Sequence, residues 1–195
     1  MTSRDRMKGL LAHDKSYDHY GIFEHFWGET LNDVWPSQGY PKDTDPAIFF
    51  DYDIRPIGGG PDATPFRLEK EDLIEETDEW KVTRSGWGAA LKHWKHHSGV
   101  PEHIDFLIKT PADWKPYREQ LIAGVDPARF DMEGIRKSLA DGRRGDKFLV
   151  GTHLFLFETL RHALGDVTML ESFVLEPVWI HDIGRVLTDF YVSHW

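Results

Sequence analysis

The segment DKFLVGTHLF, residues 146–155, constrains the fold more than any other stretch. It runs apolar through Phe148, Leu149 and Val150 without polar alternation, the pattern of a parallel strand covered on both faces. Helical stretches flank it, DMEGIRKSLADG before and FETLRHALGD after. Helix, buried strand and helix in succession predict an α/β fold with parallel strands.

The remaining chain extends this reading. Thr2 or Ser3 caps an opening helix with Asp5 in its first turn and Met7, Leu10 and Leu11 at helical spacing. Tyr20–Trp27 reads as a strand, bounded by Asp18 and Gly28 and rich in Tyr, Ile and Phe. ETLNDVWPSQG predicts a short helix stopped by Pro36 and Gly39, and DPAIFFDYD a helical turn capped by Asp45 with Pro46 at its first position. IRPIGGGPD predicts a brief strand whose glycine run turns. Residues 65–110 contain short alternating segments such as EWKVTRS, which suit a β-hairpin insertion. HIDFLIKT adds a strand. TPADWKPYREQLIA is a helix capped by Thr110 and stopped near Gly124, and Gly142 is expected to close the helix DMEGIRKSLADG. Beyond Phe155 the chain reads as helices up to Trp195.

Composition narrows the function. With 33 acidic and 23 basic side chains the formal charge is −10, which opposes nucleic acid and anionic membrane surfaces; the short DGRRGDK run carries its own Asp residues. The absence of Cys removes disulfides and thiolate metal sites. No apolar leader or membrane-length run occurs, so a soluble cytoplasmic protein is expected. Thirteen per cent aromatic content, with eight Trp, suits aromatic-lined cavities or unusually bulky packing and by itself identifies no ligand.

Candidate chemistry gathers in three places. In HYGIFEHFW, Glu24 and His25 are adjacent, so in a strand they point to opposite faces and only one reaches a pocket; His25 is the better acid–base candidate because its pKa is nearest neutrality. His153 follows the apolar strand, where a barrel would deliver a side chain into its site. Arg55 in DYDIRPIGGG suits a carboxylate, although pairing with Asp51 or Asp53 competes. Trp27 is read with Arg55 as a substrate-binding residue at the pocket rim. Bland readings stand beside these: Glu24 or His25 as a polar strand end, His153 as a core histidine, Glu158 and Arg161 as a local ion pair. HWKHH has helical metal spacing at His93, His96 and His97 but no carboxylate beside it, so a solvated patch is expected and no metal ligand is assigned.

Taken in order, MTSRDRMKGLLAHDKSYDHYGIF, DLIEETDEWKVTRSGWG, KTPADWKPYREQL, FLVGTHLFLFETLRHALGDVTML and EPVWIHDI resemble the uroporphyrinogen decarboxylase superfamily over nearly all 195 residues. The resemblance implies a (β/α)8 TIM barrel with its site at the C-terminal ends of the strands. A closed barrel takes about 250 residues, so the expectation is a single domain truncated at the C-terminus: an incomplete barrel of about three β/α units carrying the 65–110 insertion.

The decarboxylases of the superfamily bear an RQAGRY segment after the first strand; here the matching stretch reads EHFWGETLNDVW, with neither arginine. That favours the methyltransferase-like branch, in which a methyl group passes from a corrinoid protein to a small acceptor at a zinc site of His and Cys ligands. Those ligands would lie beyond residue 195, so this segment itself is expected to bind no cofactor. Decarboxylation of uroporphyrinogen is the alternative, and a non-catalytic half-barrel that self-associates through an open sheet edge is the contrasting one.

Overall fold

The computed structural model describes residues 1–59, 61–65, 72–96 and 99–194. The chain opens with α1 (Ser3–Ala12), a π-helical turn (Thr30–Val34) running into α2 (Trp35–Ser37), α3 (Pro46–Phe49) and β1 (Ile54–Gly59). Four strands follow, β2 (Asp72–Glu76), β3 (Trp80–Arg84), β4 (Ala90–Trp94) and β5 (Glu102–Asp105). Then come α4 (Pro111–Leu121), a 3-10 turn (Pro127–Arg129), α5 (Met132–Arg144), β6 (Phe148–Thr152), α6 (Phe157–Leu164), α7 (Asp166–Leu175) and α8 (Pro177–His194). These elements form two compact units, one from Met1–Gly59 with Asp131–Thr152, the other from Gly60–Phe130 with His153–Trp195.

In the first unit β1 and β6 pair in parallel, with Ile54 opposite Phe148, Arg55 opposite Leu149 and Pro56 opposite Val150. A parallel pair requires a crossover connection, and α5 supplies it, packing on both strands. The unit is therefore a βαβ element whose β1-to-α5 connection is residues 60–130. α1 packs on β6; Thr2 accepts from the Asp5 N–H at its start, as its sequence predicts. Gly142, expected to end α5, lies inside it. A Cβ at this position would collide with Leu149 Cδ2, so the glycine serves close helix–strand approach, and Gly145 ends the helix instead.

The fold is mixed α/β, with one parallel and one antiparallel sheet. No closed barrel forms among the described residues, and the expected series of three β/α units reduces to the single β1–α5–β6 element. Tyr20–Trp27 is not a strand. The Asp53 carboxylate takes the Ile22 N–H at 2.8 Å and the Asp53 N–H returns to the Ile22 carbonyl at 2.9 Å, so one acidic side chain occupies the place of a strand ladder. β6 is half-buried rather than buried, because a two-stranded sheet covers it on one edge alone. The glycines at 58 and 59 extend β1 instead of turning, and the register shifts between Pro56 and Gly59; the third glycine of the run lies outside the described residues.

In the second unit β2, β3, β4 and β5 form an antiparallel meander in that order. The core of this unit lies among helices. α8 presents Trp179, Ile180, Ile183, Val186, Leu187, Phe190 and Tyr191 at three- and four-residue spacing. Against them pack Trp114 and Leu121 of α4, Leu160 and Leu164 of α6 and Met169 of α7. Gly165 joins α6 to α7 at φ +78°, and a Cβ there would strike the Phe106 ring. No described helix is long and apolar enough to cross a membrane.

The expected cap of α4 is a full capping box: Thr110 accepts from the Asp113 N–H and Asp113 accepts from the Thr110 N–H. Thr110→Ala should cost about 1 kcal/mol, seen as a lower urea midpoint with faster amide exchange in the first turn of α4.

Candidate functional site

The site is built on Asp53, which is 1% exposed at the entry to β1. Its carboxylate binds the Arg6 guanidinium, and Arg6 also holds Asp18 at 2.6 and 3.0 Å. Burial acts to raise the Asp53 pKa, but hydrogen bonds from the Ile22 N–H, Ser3 and Arg6 outweigh it and hold the carboxyl below its ordinary value. Asp18 is held low chiefly by its bonds to Arg6, and Arg6 is raised chiefly by the same bonds, so all three remain charged at neutral pH. This network fixes Ile22, and residues 23–27 leave from it in irregular backbone.

A chain of rings then shapes the surface over which that segment passes. Phe23 meets Tyr52 edge-on at 5.9 Å, Phe26 lies 4.5 Å from Trp35, and Trp35 lies 5.8 Å from Phe50, which stacks on Tyr52 at 6.5 Å. Between these rings and the start of β1 opens a cleft of about 350 Å³, lined by Phe23, Glu24, His25, Phe26, Tyr52 and Arg55 among others.

Glu24 and His25 therefore both line the cleft, where strand geometry predicted that only one would; without a pleat their side chains need not alternate. Arg55 joins them but pairs with neither Asp51 nor Asp53. Its guanidinium reaches Asp45, the cap of α3, at 3.4 Å, while Asp51 pairs with Lys147 at 2.6 Å and Asp53 with Arg6. Trp27 is 66% exposed and is not part of the lining. His153 belongs to the second unit. Its ring lies T-shaped on Tyr191 at 4.2 Å, and partial burial holds its pKa below the usual imidazole value.

The bland readings also resolve. Glu158 and Arg161 form their local ion pair at 2.8 Å. His93 bonds Thr83 at 3.2 Å from strand β4, where helical spacing has no meaning; His97 lies outside the described residues. Among the described residues no three His, Asp or Glu side chains gather to hold a metal ion.

Sequence reasoning missed Tyr52 and Asp45. Tyr52 is 5% exposed, yet its hydroxyl has no hydrogen-bond partner among the described residues. Burial raises its pKa, with Glu24, Tyr40 and Asp45 adding to the shift, so it stays a neutral phenol. The crowding of aromatic residues in FFDY was the available signal. Compared with known proteins, the chain matches no protein-family model, no curated protein and no solved structure.

Proposed function

We propose that the chain acts as a uroporphyrinogen decarboxylase-like protein of the methyltransferase branch, seating a small methyl acceptor in the Glu24–His25–Arg55 cleft. The observation that carries this reading is the convergence of those three side chains on one aromatic-walled cleft beside the first parallel strand. His25 there takes the proton that the acceptor loses as it is methylated, and Glu24 beside it stabilises the imidazolium that results. A corrinoid on its carrier protein supplies the methyl group as a cation equivalent, both electrons of the broken bond remaining on cobalt. Phe23, Phe26 and Tyr52 keep water from the acceptor. The described residues offer no three-ligand zinc site, and no step here uses one.

Tetrapyrrole decarboxylation is less well supported. A substrate with many acetate and propionate groups calls for several cations, whereas the described lining sets Glu24 and Asp45 against one arginine, itself paired with Asp45. The test uses free methylcobalamin with a panel of small amines and thiols, following loss of the methyl–cobalt absorbance and the mass of the methylated acceptor. Transfer that falls about a hundredfold in His25→Ala supports the reading. Folded protein that transfers no methyl group, or a His25→Ala variant as active as the parent, overturns it; carbon dioxide release from uroporphyrinogen would favour the alternative.

A further inference from the structure

The charges of the cleft do not cancel. Asp45 and Arg55 face each other at 3.4 Å and neutralise one another. Glu24 is left as the surplus charge: its described contact is with the N–H of the next residue, His25, at 2.8 Å. A carboxylate served by a backbone N–H keeps acceptor capacity for a charged donor.

The second observation is the Tyr52 hydroxyl. It is shielded from solvent, has no hydrogen-bond partner among the described residues, and sits on a residue that lines the cleft. Tyr52, Glu24 and Asp45 all line this same cleft. Leaving a buried phenol without a partner is destabilising, and a ligand that bonds it removes that cost. The hydroxyl both donates to a lone pair and accepts from an N–H. The rings of Phe23, Phe26 and Tyr52 supply apolar surface for a short carbon chain.

We infer that the cleft binds a small primary alkylamine, its ammonium form paired with Glu24 and hydrogen-bonded to Tyr52 Oη, its carbon chain against Phe23 and Phe26. The inference rests on this cleft being the acceptor's seat, and it narrows the acceptor from small molecules in general to amines. A carboxylic acid of the same size is excluded by Glu24, since two like charges in one cleft repel. His25 stands beside Glu24 to receive the ammonium proton when a nucleophilic lone pair is required.

The test is a binding measurement, separate from any methyl transfer. Isopropylammonium, tetramethylammonium and isobutyrate are titrated into the protein, reading amide NMR shifts at residues 22–26 and 52–55 and heats of binding. Isopropylammonium should bind and shift these resonances while isobutyrate does not. Glu24→Gln should weaken isopropylammonium about tenfold or more. Tyr52→Phe should weaken isopropylammonium and leave tetramethylammonium, which has no N–H, unchanged. Glu24 is exposed and Tyr52→Phe removes one oxygen, so both variants should fold, and their amide spectra check this. Stronger binding of isobutyrate, no isopropylammonium binding by folded protein, or Glu24→Gln affinity equal to the parent would each overturn the inference. If the amine binds but no methyl transfer occurs, the ligand class stands and the proposed reaction fails; if methyl transfer proceeds to thiols without amine binding, the reverse holds.

Discussion

Asp53→Ala should destabilise the first unit by about 3 kcal/mol, the scale expected when one partner of a buried ion pair is removed. The carboxylate is nearly inaccessible and serves the Arg6 guanidinium and the Ile22 N–H at once. Its loss leaves that N–H without its acceptor and releases residues 22–27, so the cleft loses its wall together with its foundation. Asp53→Asn keeps an acceptor for Ile22 and should cost less. The sign of the pH dependence follows from the depressed pKa values of Asp53 and Asp18. Their contribution is fully present above the ordinary carboxyl value of about 3.9 and is lost as pH falls toward the lower folded values. Urea titrations at stepwise pH should therefore show stability declining in that acid range, with the slope reduced in Asp53→Asn. Equal slopes in both proteins would remove Asp53 from the explanation.

Leu187→Ala should have a comparable effect on the second unit, about 3 kcal/mol. Leu187 is 1% exposed on the inward face of α8, in the core that also holds Leu160, Leu164 and Met169. Truncation removes buried methyl groups and leaves a void that large, close-packed neighbours fill only in part. Amide exchange distinguishes the two variants: Leu187→Ala should speed exchange in α4, α6, α7 and α8, and Asp53→Ala in β1, β6 and α5. Uniform acceleration of both sets by either substitution would mean that the two units unfold as one.

Local signals in the sequence were the dependable ones. Thr2, Asp45 and Thr110 cap the helices their side chains predict, because a cap depends on residues two or three positions away. The parallel character of Phe148–Thr152 was legible from its apolar run flanked by helices. What failed depended on distant partners. Tyr20–Trp27 has strand composition, but Asp53 takes the Ile22 backbone donor, and nothing in HYGIFEHFW reveals that. Gly142 looks like a helix stop until Leu149 is seen packed against it. The candidate site divides in the same way. Glu24, His25 and Arg55 were identified individually and do share a cleft, whereas Tyr52, signalled only by the crowded rings of FFDY, stands out through a buried hydroxyl with no hydrogen-bond partner among the described residues. His153 was placed by barrel geometry, and its described contact is with Tyr191 of the second unit.

The interrupted β1–α5–β6 element sets an order of events during folding. Ile54 meets Phe148 only after the intervening chain has been drawn in, and closing so long a loop carries an entropic cost that no local contact offsets in advance. The hairpins β2–β3 and β3–β4 and the adjacent helices α6, α7 and α8 close over short separations and can form early. Folding of residues 60–130 shortens the effective span that β1 and β6 must bridge. The parallel pair and the cleft beside β1 are thus late products of folding, assembled once the inserted chain has become compact.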